Sequence, residues 1–385
     1  MSSSKKLRII ISIVAISFIQ GLQFSVSPVL GQISEHFSSV SVNLIQMLVT
    51  SSALMAMVIA LVCGKLVTKI SKKNLLIIAG LVAGATGFIP LLADSFPLLF
   101  ACRILYGVAQ GLATALNTAV VAEFFTGEER TSVMGIQAAS VGAGMLITTT
   151  LSGMLAKGGF THAYYVHTIG FICMITIALL LPETGTVKET ESEKITLNAD
   201  VFKVSFMGFL EYLFLISFTT NIAMHLAGSL AGDTGVSGTL TGIFSGAQIV
   251  MGLVLGRVTR ITKRNTLPVA MLSFVIGGVL LILFPGTFPM LLLGSIFCGF
   301  SQGMFVPTAM VAVSNAVAPV AAAMAAAVIT CFTCIGQLIS PAVLNGVTGM
   351  IFQDTATGHV YTVAVVGMMI AAALSWLIGK TVKNL

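Results

Sequence analysis

Two charged side chains lie deep inside long apolar runs, and no other residues of this sequence are better placed to do chemistry. Glu211 sits in F-L-E-Y-L-F-L and Arg103 in F-A-C-R-I-L-Y. A carboxyl group surrounded by apolar sequence can load and release a proton, which is the chemistry of ion coupling. A guanidinium inside an apolar span is costly and is seldom kept without a partner or a watery cavity, so Arg103 reads as a coupling group or an anion ligand. Its structural alternative is an ion pair, or snorkelling of the long side chain toward one surface.

Softer candidates surround these two. His167 and His225 titrate near neutrality and could relay protons, although a lone histidine is more often simply hydrogen-bonded. Gln20, Gln23, Asn221 and Gln337 could orient a solute, or could equally form interhelical hydrogen bonds worth roughly 0.6 kcal/mol each. The segment F-I-Q-G-L around Gln20 aligns with F-L-E-Y-L around Glu211, which suggests equivalent places near the middle of two related helices.

The elements that must carry these residues are membrane helices. Hydrophobic residues make up 56% of the 385 and charged ones 8%, and the mean hydropathy is +1.03. So little polar side chain cannot cover a water-soluble surface. At about 20 apolar residues per span, the chain divides into twelve candidates, from residues 9–30 to residues 360–378, with residues 205–226 opening the second six. The net charge of +6 is not a nucleic-acid signal, because the basic residues fall in short clusters beside apolar runs. All lysines and arginines except Lys157 and Arg103 fall on one side of alternating loops, which places both termini in the cytoplasm. All six cysteines lie within apolar runs, and Cys331 and Cys334, one helical turn apart, read as small packing residues rather than as ligands.

The spans repeat. Residues 67–74, V-T-K-I-S-K-K-N, return as V-T-R-I-T-K-R-N at residues 258–265, each copy reading as a short basic loop between two buried helices. Phe96-Pro97 with Gly107 and Gln110-Gly111 returns as Phe288-Pro289 with Gly299 and Gln302-Gly303, and Gly144 returns as Gly336, all 192 positions on. Repeats at a long constant period mean a duplicated structural unit. The chain therefore reads as an all-α membrane protein of two pseudo-symmetric six-helix bundles, residues 1–182 and 204–385. A charged cytoplasmic linker, residues 183–203, joins them. Two parallel six-span repeats are the plan of a large class of secondary transporters with a midplane site.

At this point the sequence resembles the major facilitator superfamily. The family's loop G-x-L-x-D-[RK]-x-G-[RK]-[RK] is matched by Gly64, Leu66, Lys69, Lys72 and Lys73. Thr68 stands at the acidic position and Ser71 at the second glycine. The second copy offers Thr259, Arg260, Lys263 and Arg264. The resemblance implies that this loop takes part in conformational switching, and the missing acid puts the family's acidic latch in doubt. Arg103-x-x-x-Gly107 resembles a second family pattern on helix four. Drug exporters carry G-x-x-x-G-P-x-x-G-G on helix five, where this chain has Gly144, Thr148, Thr149, Ser152 and Gly153, without the proline.

No nucleotide-binding loop, zinc spacing or nucleophile elbow is present, so nothing points to an enzyme. The expectation is a monomeric secondary transporter of the inner (plasma) membrane, resembling bacterial twelve-helix drug and metabolite exporters. It needs no cofactor, takes no nucleic-acid partner, and moves a small organic or drug-like solute across the lipid bilayer by proton-coupled efflux. The alternative is uptake or exchange of a small organic anion with Arg103 as its ligand.

Overall fold

The structure, a computed structural model, describes residues 3–186, 197–317 and 321–382. Among these, secondary structure is helical throughout. Six long helices come first: α1 (Ser3–Gly21), α2 (Val42–Lys69), α3 (Lys72–Phe88), α4 (Phe96–Phe124), α5 (Gly127–Leu155) and α6 (Thr168–Leu180). Six more follow: α7 (Ala199–Leu215), α8 (Thr234–Thr262), α9 (Thr266–Leu283), α10 (Phe288–Asn315), α11 (Ala322–Phe352) and α12 (Thr357–Gly379). Eleven continuous helical stretches are long and apolar enough to cross a membrane, and one of them, Thr234–Leu283, holds both α8 and α9. The described residues therefore hold twelve main helices, the number expected.

Local chemistry marks the helix ends. Pro97 and Pro289 occupy the first turns of α4 and α10, where a missing N–H costs nothing and φ is already helical. Ser71, at the family's glycine position, accepts a hydrogen bond from the Asn74 N–H and caps α3. Asp233 caps α8 by accepting from the Gly235 and Val236 N–H groups. Asn198 caps α7, so residues 199–203 of the expected linker are already the first turn of α7. Residues 187–196 of that linker lie outside the described residues. The basic octapeptides are less of a loop than expected. Residues 67–69 and 258–262 finish α2 and α8, and the second turn pivots on Lys263, with φ of 50°.

The chain divides into two compact units. One comprises Met1–Val29 and Leu48–Glu191, and the other Leu30–Met47 and Ser192–Leu385. Residues 30–47, which the sequence reading placed with the first bundle, pack with the second unit. Within the first unit α1 packs on α5 and α3 on α6; within the second, α7 packs on α11 and α9 on α12.

Between helices in lipid there is no hydrophobic drive, so association depends on close van der Waals contact at small residues. The repeat delivers that contact twice. A Cβ at Gly107 would come within 2.3 Å of the Ser52 carbonyl oxygen, and one at Gly299 within 2.3 Å of that of Phe244. Gly111 against Ala56 and Gly303 against Gln248 repeat the pattern at 2.8 Å. Each of these pairs of pairs is related by a shift of 192 residues, so the duplication read from sequence is a duplication of packing. Each unit buries its own apolar centre, with Ile13, Leu76 and Tyr106 in the first and Phe244, Phe274 and Phe305 in the second.

The opening helix of each unit is interrupted. The helical path beyond α1 continues through short 3-10 turns at Leu22–Phe24 and Ser27–Val29, and α7 gives way at Ile216 to the separate helix Ser217–His225. Such breaks leave main-chain carbonyls free to accept from side chains, and the candidate residues gather around them.

Candidate functional site

Arg103 projects from α4 into the interior of the first unit, where it is 2% exposed. Its Nε donates to the Leu48 carbonyl at 2.8 Å and its Nη2 to the Gln23 carbonyl at 2.6 Å. The guanidinium lies over the Tyr106 ring, 5.0 Å from its centroid. It has no carboxylate partner among the described residues, and Nη1 has no hydrogen-bond partner there. The guanidinium therefore ties the 3-10 turn beyond α1 to α2 through main-chain oxygens. Gln23 contributes its carbonyl to this arrangement rather than its amide.

His167 joins the same cluster. Its Nδ1 lies 2.7 Å from the Ala83 carbonyl, which can only accept, so Nδ1 carries the hydrogen. Its ring meets Tyr106 edge-on at 5.9 Å and stacks on Tyr164 at 6.1 Å. Its Nε2 faces the Ser25 hydroxyl at 3.4 Å. Gln20 is separate, donating from Nε2 to the Ala113 carbonyl at 3.1 Å.

In the second unit Glu211 points from α7 toward α10 and is fully buried. Oε1 accepts from the Ser301 hydroxyl at 2.7 Å, while Oε2 has no partner among the described residues. The next residue along, Tyr212, accepts at its hydroxyl from Gln302 Nε2 at 3.0 Å. Two successive residues of α7 thus meet two successive residues of α10. The structural register also corrects the alignment of Gln20 with Glu211. Thr148 donates to the Gly21 carbonyl at 2.8 Å and Ser340 to that of Leu213 at 2.6 Å, a shift of 192. Gln20 therefore corresponds to Tyr212, and Glu211 to the apolar Ile19.

Asn221 and His225 serve the short helix beyond the α7 break. Asn221 accepts from Gln46 Nε2 at 2.8 Å, and Asn345 Nδ2 donates to Gln46 Oε1 at 2.7 Å and to Asn43 Oδ1 at 2.5 Å. This chain of four amides holds residues 43–46 in the second unit. His225 donates from Nε2 to the Leu281 carbonyl at 2.9 Å and accepts at Nδ1 from the Thr357 hydroxyl at 2.9 Å. Both ring nitrogens are occupied, so its geometry is that of a pin between α9 and α12. Gln337 is buried on α11, and its Nε2 has no partner among the described residues.

The motif residues sit at helix ends. Lys72 pairs with Glu123 at 2.7 Å and Lys73 with Glu183 at 3.0 Å, while the Lys73 N–H donates to Thr184. In the second copy Arg264 donates to the carbonyls of Gly379 and Val382, both at 2.6 Å. Lys73 and Arg264 hold equivalent places, and each ties the turn to the end of the last helix of its own unit. Thr68 and Thr259, at the acidic position, donate only to carbonyls of their own helices, those of Lys65 and Gly256. Gly64 has open space around it. Lys69, Arg260 and Lys263 are exposed.

Sequence reasoning missed Ser25, Tyr106, Tyr164, Ser301, Asn43, Gln46 and Asn345. A signal existed for the tyrosines, since the chain has only five and a polar-tipped ring within an apolar run needs a partner. Nothing local distinguishes Ser301 from other serines in the spans.

Two duplicated bundles of apolar helices, each sealing ionisable side chains inside, define a carrier-type membrane protein. The model of the Major Facilitator Superfamily matches residues 12–204 and again 204–384, and the chain belongs to that superfamily. It is a multi-pass membrane transporter of small solutes, not an enzyme. Among curated proteins it is similar to Multidrug resistance protein 2 of Bacillus subtilis (strain 168), 25% identical over 143 residues. That match spans 37% of this chain and only 36% of the relative's length. Among solved structures it is similar to a D-xylose–proton symporter (TM-score 0.74, 17% identity, 97% of this chain and 98% of that one). It is also similar to the nucleoside transporter NupG, solved as a D323A mutant (0.73, 15%, 97% and 100%). The human organic anion transporter MFSD10 is a third (0.68, 14%, 100% of both chains). At these identities the structural likenesses speak for the fold.

Proposed function

We propose that this transporter moves a small amphipathic or drug-like solute out of the cell in exchange for protons, with Glu211 as the proton-carrying carboxyl. The observation that carries the reading is the setting of Glu211. It is fully buried, without a basic partner among the described residues, held on one oxygen by Ser301 and free on the other. Proton uptake and release is the chemistry open to a lone acid in such a place. Its repeat position is apolar, so duplication alone does not account for it. The name of the Bacillus relative, a multidrug resistance protein, supports efflux and a drug-like solute.

In this reading the protein works as a monomer in the inner (plasma) membrane, with both termini cytoplasmic as the clustering of basic residues implies. The proton gradient is the driving force and no cofactor is involved. Uptake or exchange of an organic anion gains less support, because Arg103 is 2% exposed and two of its three nitrogens are bound to main-chain oxygens.

The test is transport of ethidium, a drug-like cation, by proteoliposomes under an imposed pH gradient. Glu211→Gln should abolish gradient-driven movement while counterflow exchange of the same dye survives. Undiminished gradient-driven transport by that variant would remove Glu211 from the role.

A further inference from the structure

The last turns of α8 carry charge that the chain leaves unmatched. Positions 250, 253, 257 and 260 recur at intervals of three and four, so Val250, Leu253, Arg257 and Arg260 share one helix face, and all four are exposed. Leu253 is 78% exposed, and Ile261, beside Arg260, is 82% exposed. A Cβ at Gly252 or at Gly256 would meet nothing within 4 Å, so this side of the helix is open. Lys263 follows in the turn and is exposed as well. The open face is thus apolar along the helix and basic at its end. Only Lys263–Asn265 separate α8 from α9, and a tight turn between two apolar helices lies at a membrane surface.

The first repeat treats the same charge differently. Lys72, the counterpart of Lys263 in the octapeptide, pairs with Glu123 at 2.7 Å. The residue 192 places on from Glu123 is Asn315, which carries no charge. Arg257, Arg260 and Lys263 have no carboxylate partner among the described residues. Arg257 and Arg260 are one turn apart and repel each other, and an anion from outside the chain relieves that repulsion. A soluble anion answers the charges but offers nothing to Leu253 and Ile261. A phospholipid offers both in the right order along the helix, acyl chain first and phosphate at the end, and the long basic side chains can rest on apolar surface while their charged ends reach the headgroup.

We propose that the exposed face of α8 binds an anionic phospholipid. Its phosphate is held by Arg257, Arg260 and Lys263, and an acyl chain lies along Val250, Leu253 and the open sides of Gly252 and Gly256. This surface is separate from the buried Glu211, so it stands whether or not transport is proton-coupled.

The test is thermal unfolding of the purified full-length transporter in detergent, titrated with phosphatidylglycerol, phosphatidylcholine or inorganic phosphate. Phosphatidylglycerol should raise the midpoint in a saturable way, as a ligand selective for the native state does, and the other two should not. The triple variant Arg257→Gln, Arg260→Gln, Lys263→Gln should need more phosphatidylglycerol for the same rise, roughly fivefold for each charge removed. An equal loss of charge in the first unit, Lys6→Gln, Arg130→Gln, Lys157→Gln, should leave the titration in place. The double variant Arg257→Lys, Arg260→Lys keeps the charges and should keep the response, which separates lost charge from damaged packing. Equal midpoints in phosphatidylglycerol and phosphatidylcholine overturn the proposal. A rise with inorganic phosphate alone overturns it in favour of a soluble anion. Equal shifts in the two triple variants mark a general charge effect and overturn the surface as drawn.

Discussion

Ser301 donates its hydroxyl hydrogen to Glu211 Oε1 at 2.7 Å, and the two side chains meet inside the second unit where neither is exposed. The position corresponding to Ser301 in the first unit is Ala109 and that corresponding to Glu211 is Ile19. The acid and its partner are thus present in one repeat only, and the scaffold that the two repeats share does not require them.

Replacing each member of that pair separates stability from coupling. Glu211→Gln keeps an oxygen for Ser301, so its unfolding midpoint should stay near that of the parent while gradient-driven transport fails. Ser301→Ala leaves the buried carboxyl without its one donor and should lower stability by about 1–2 kcal/mol. Thermal unfolding of both variants, set beside proteoliposome transport, checks the contrast.

The glycine contacts predict paired packing defects. Gly107→Ala and Gly299→Ala each push a methyl group against a main-chain oxygen at 2.3 Å, a contact that cannot relax by a rotamer change. Both should destabilise by about 1–3 kcal/mol. Gly135→Ala, in α5 with open space around it, should be neutral or gain up to about 1 kcal/mol of helix propensity. Equal unfolding midpoints for all three variants would contradict this account of the interfaces.

Arg264 should hold the end of α12. Arg264→Ala removes two hydrogen bonds to Gly379 and Val382, and faster amide exchange over residues 378–382 is the expected outcome. Lys at this position restores a point charge but not the two-pronged fork, so it should rescue only in part. Thr259→Ala, which alters a hydroxyl bonded within its own helix, should leave exchange unchanged.

The four-amide chain predicts non-additivity. Asn345→Ala and Gln46→Ala each break the same network, so the second substitution has less to lose once the first is made. The double variant should fall short of the sum of the singles by about 0.5–3 kcal/mol in an unfolding cycle. Simple additivity would show that the amides act independently.

What could be read without coordinates depended on local, additive quantities. Hydropathy summed over a window marks a span whatever it packs against, and charge beside a span marks its side of the membrane. Identity at a constant shift therefore exposed the duplication, and an ionised residue inside an apolar run singled out Arg103 and Glu211. The partners of those residues were not local. Arg103 is held by carbonyls of Leu48 and Gln23, 55 and 80 residues away along the chain, and every peptide offers the same carbonyl, so no residue type announces it. The alignment of Gln20 with Glu211 was off by one place because apolar residues on both sides match at either shift. Only the hydrogen bonds Thr148 to Gly21 and Ser340 to Leu213 settle the register. The sequence alone thus determined the class of protein and its ionisable residues, through composition and period. The tertiary structure decided what each of them touches, because contact is a property of positions in space.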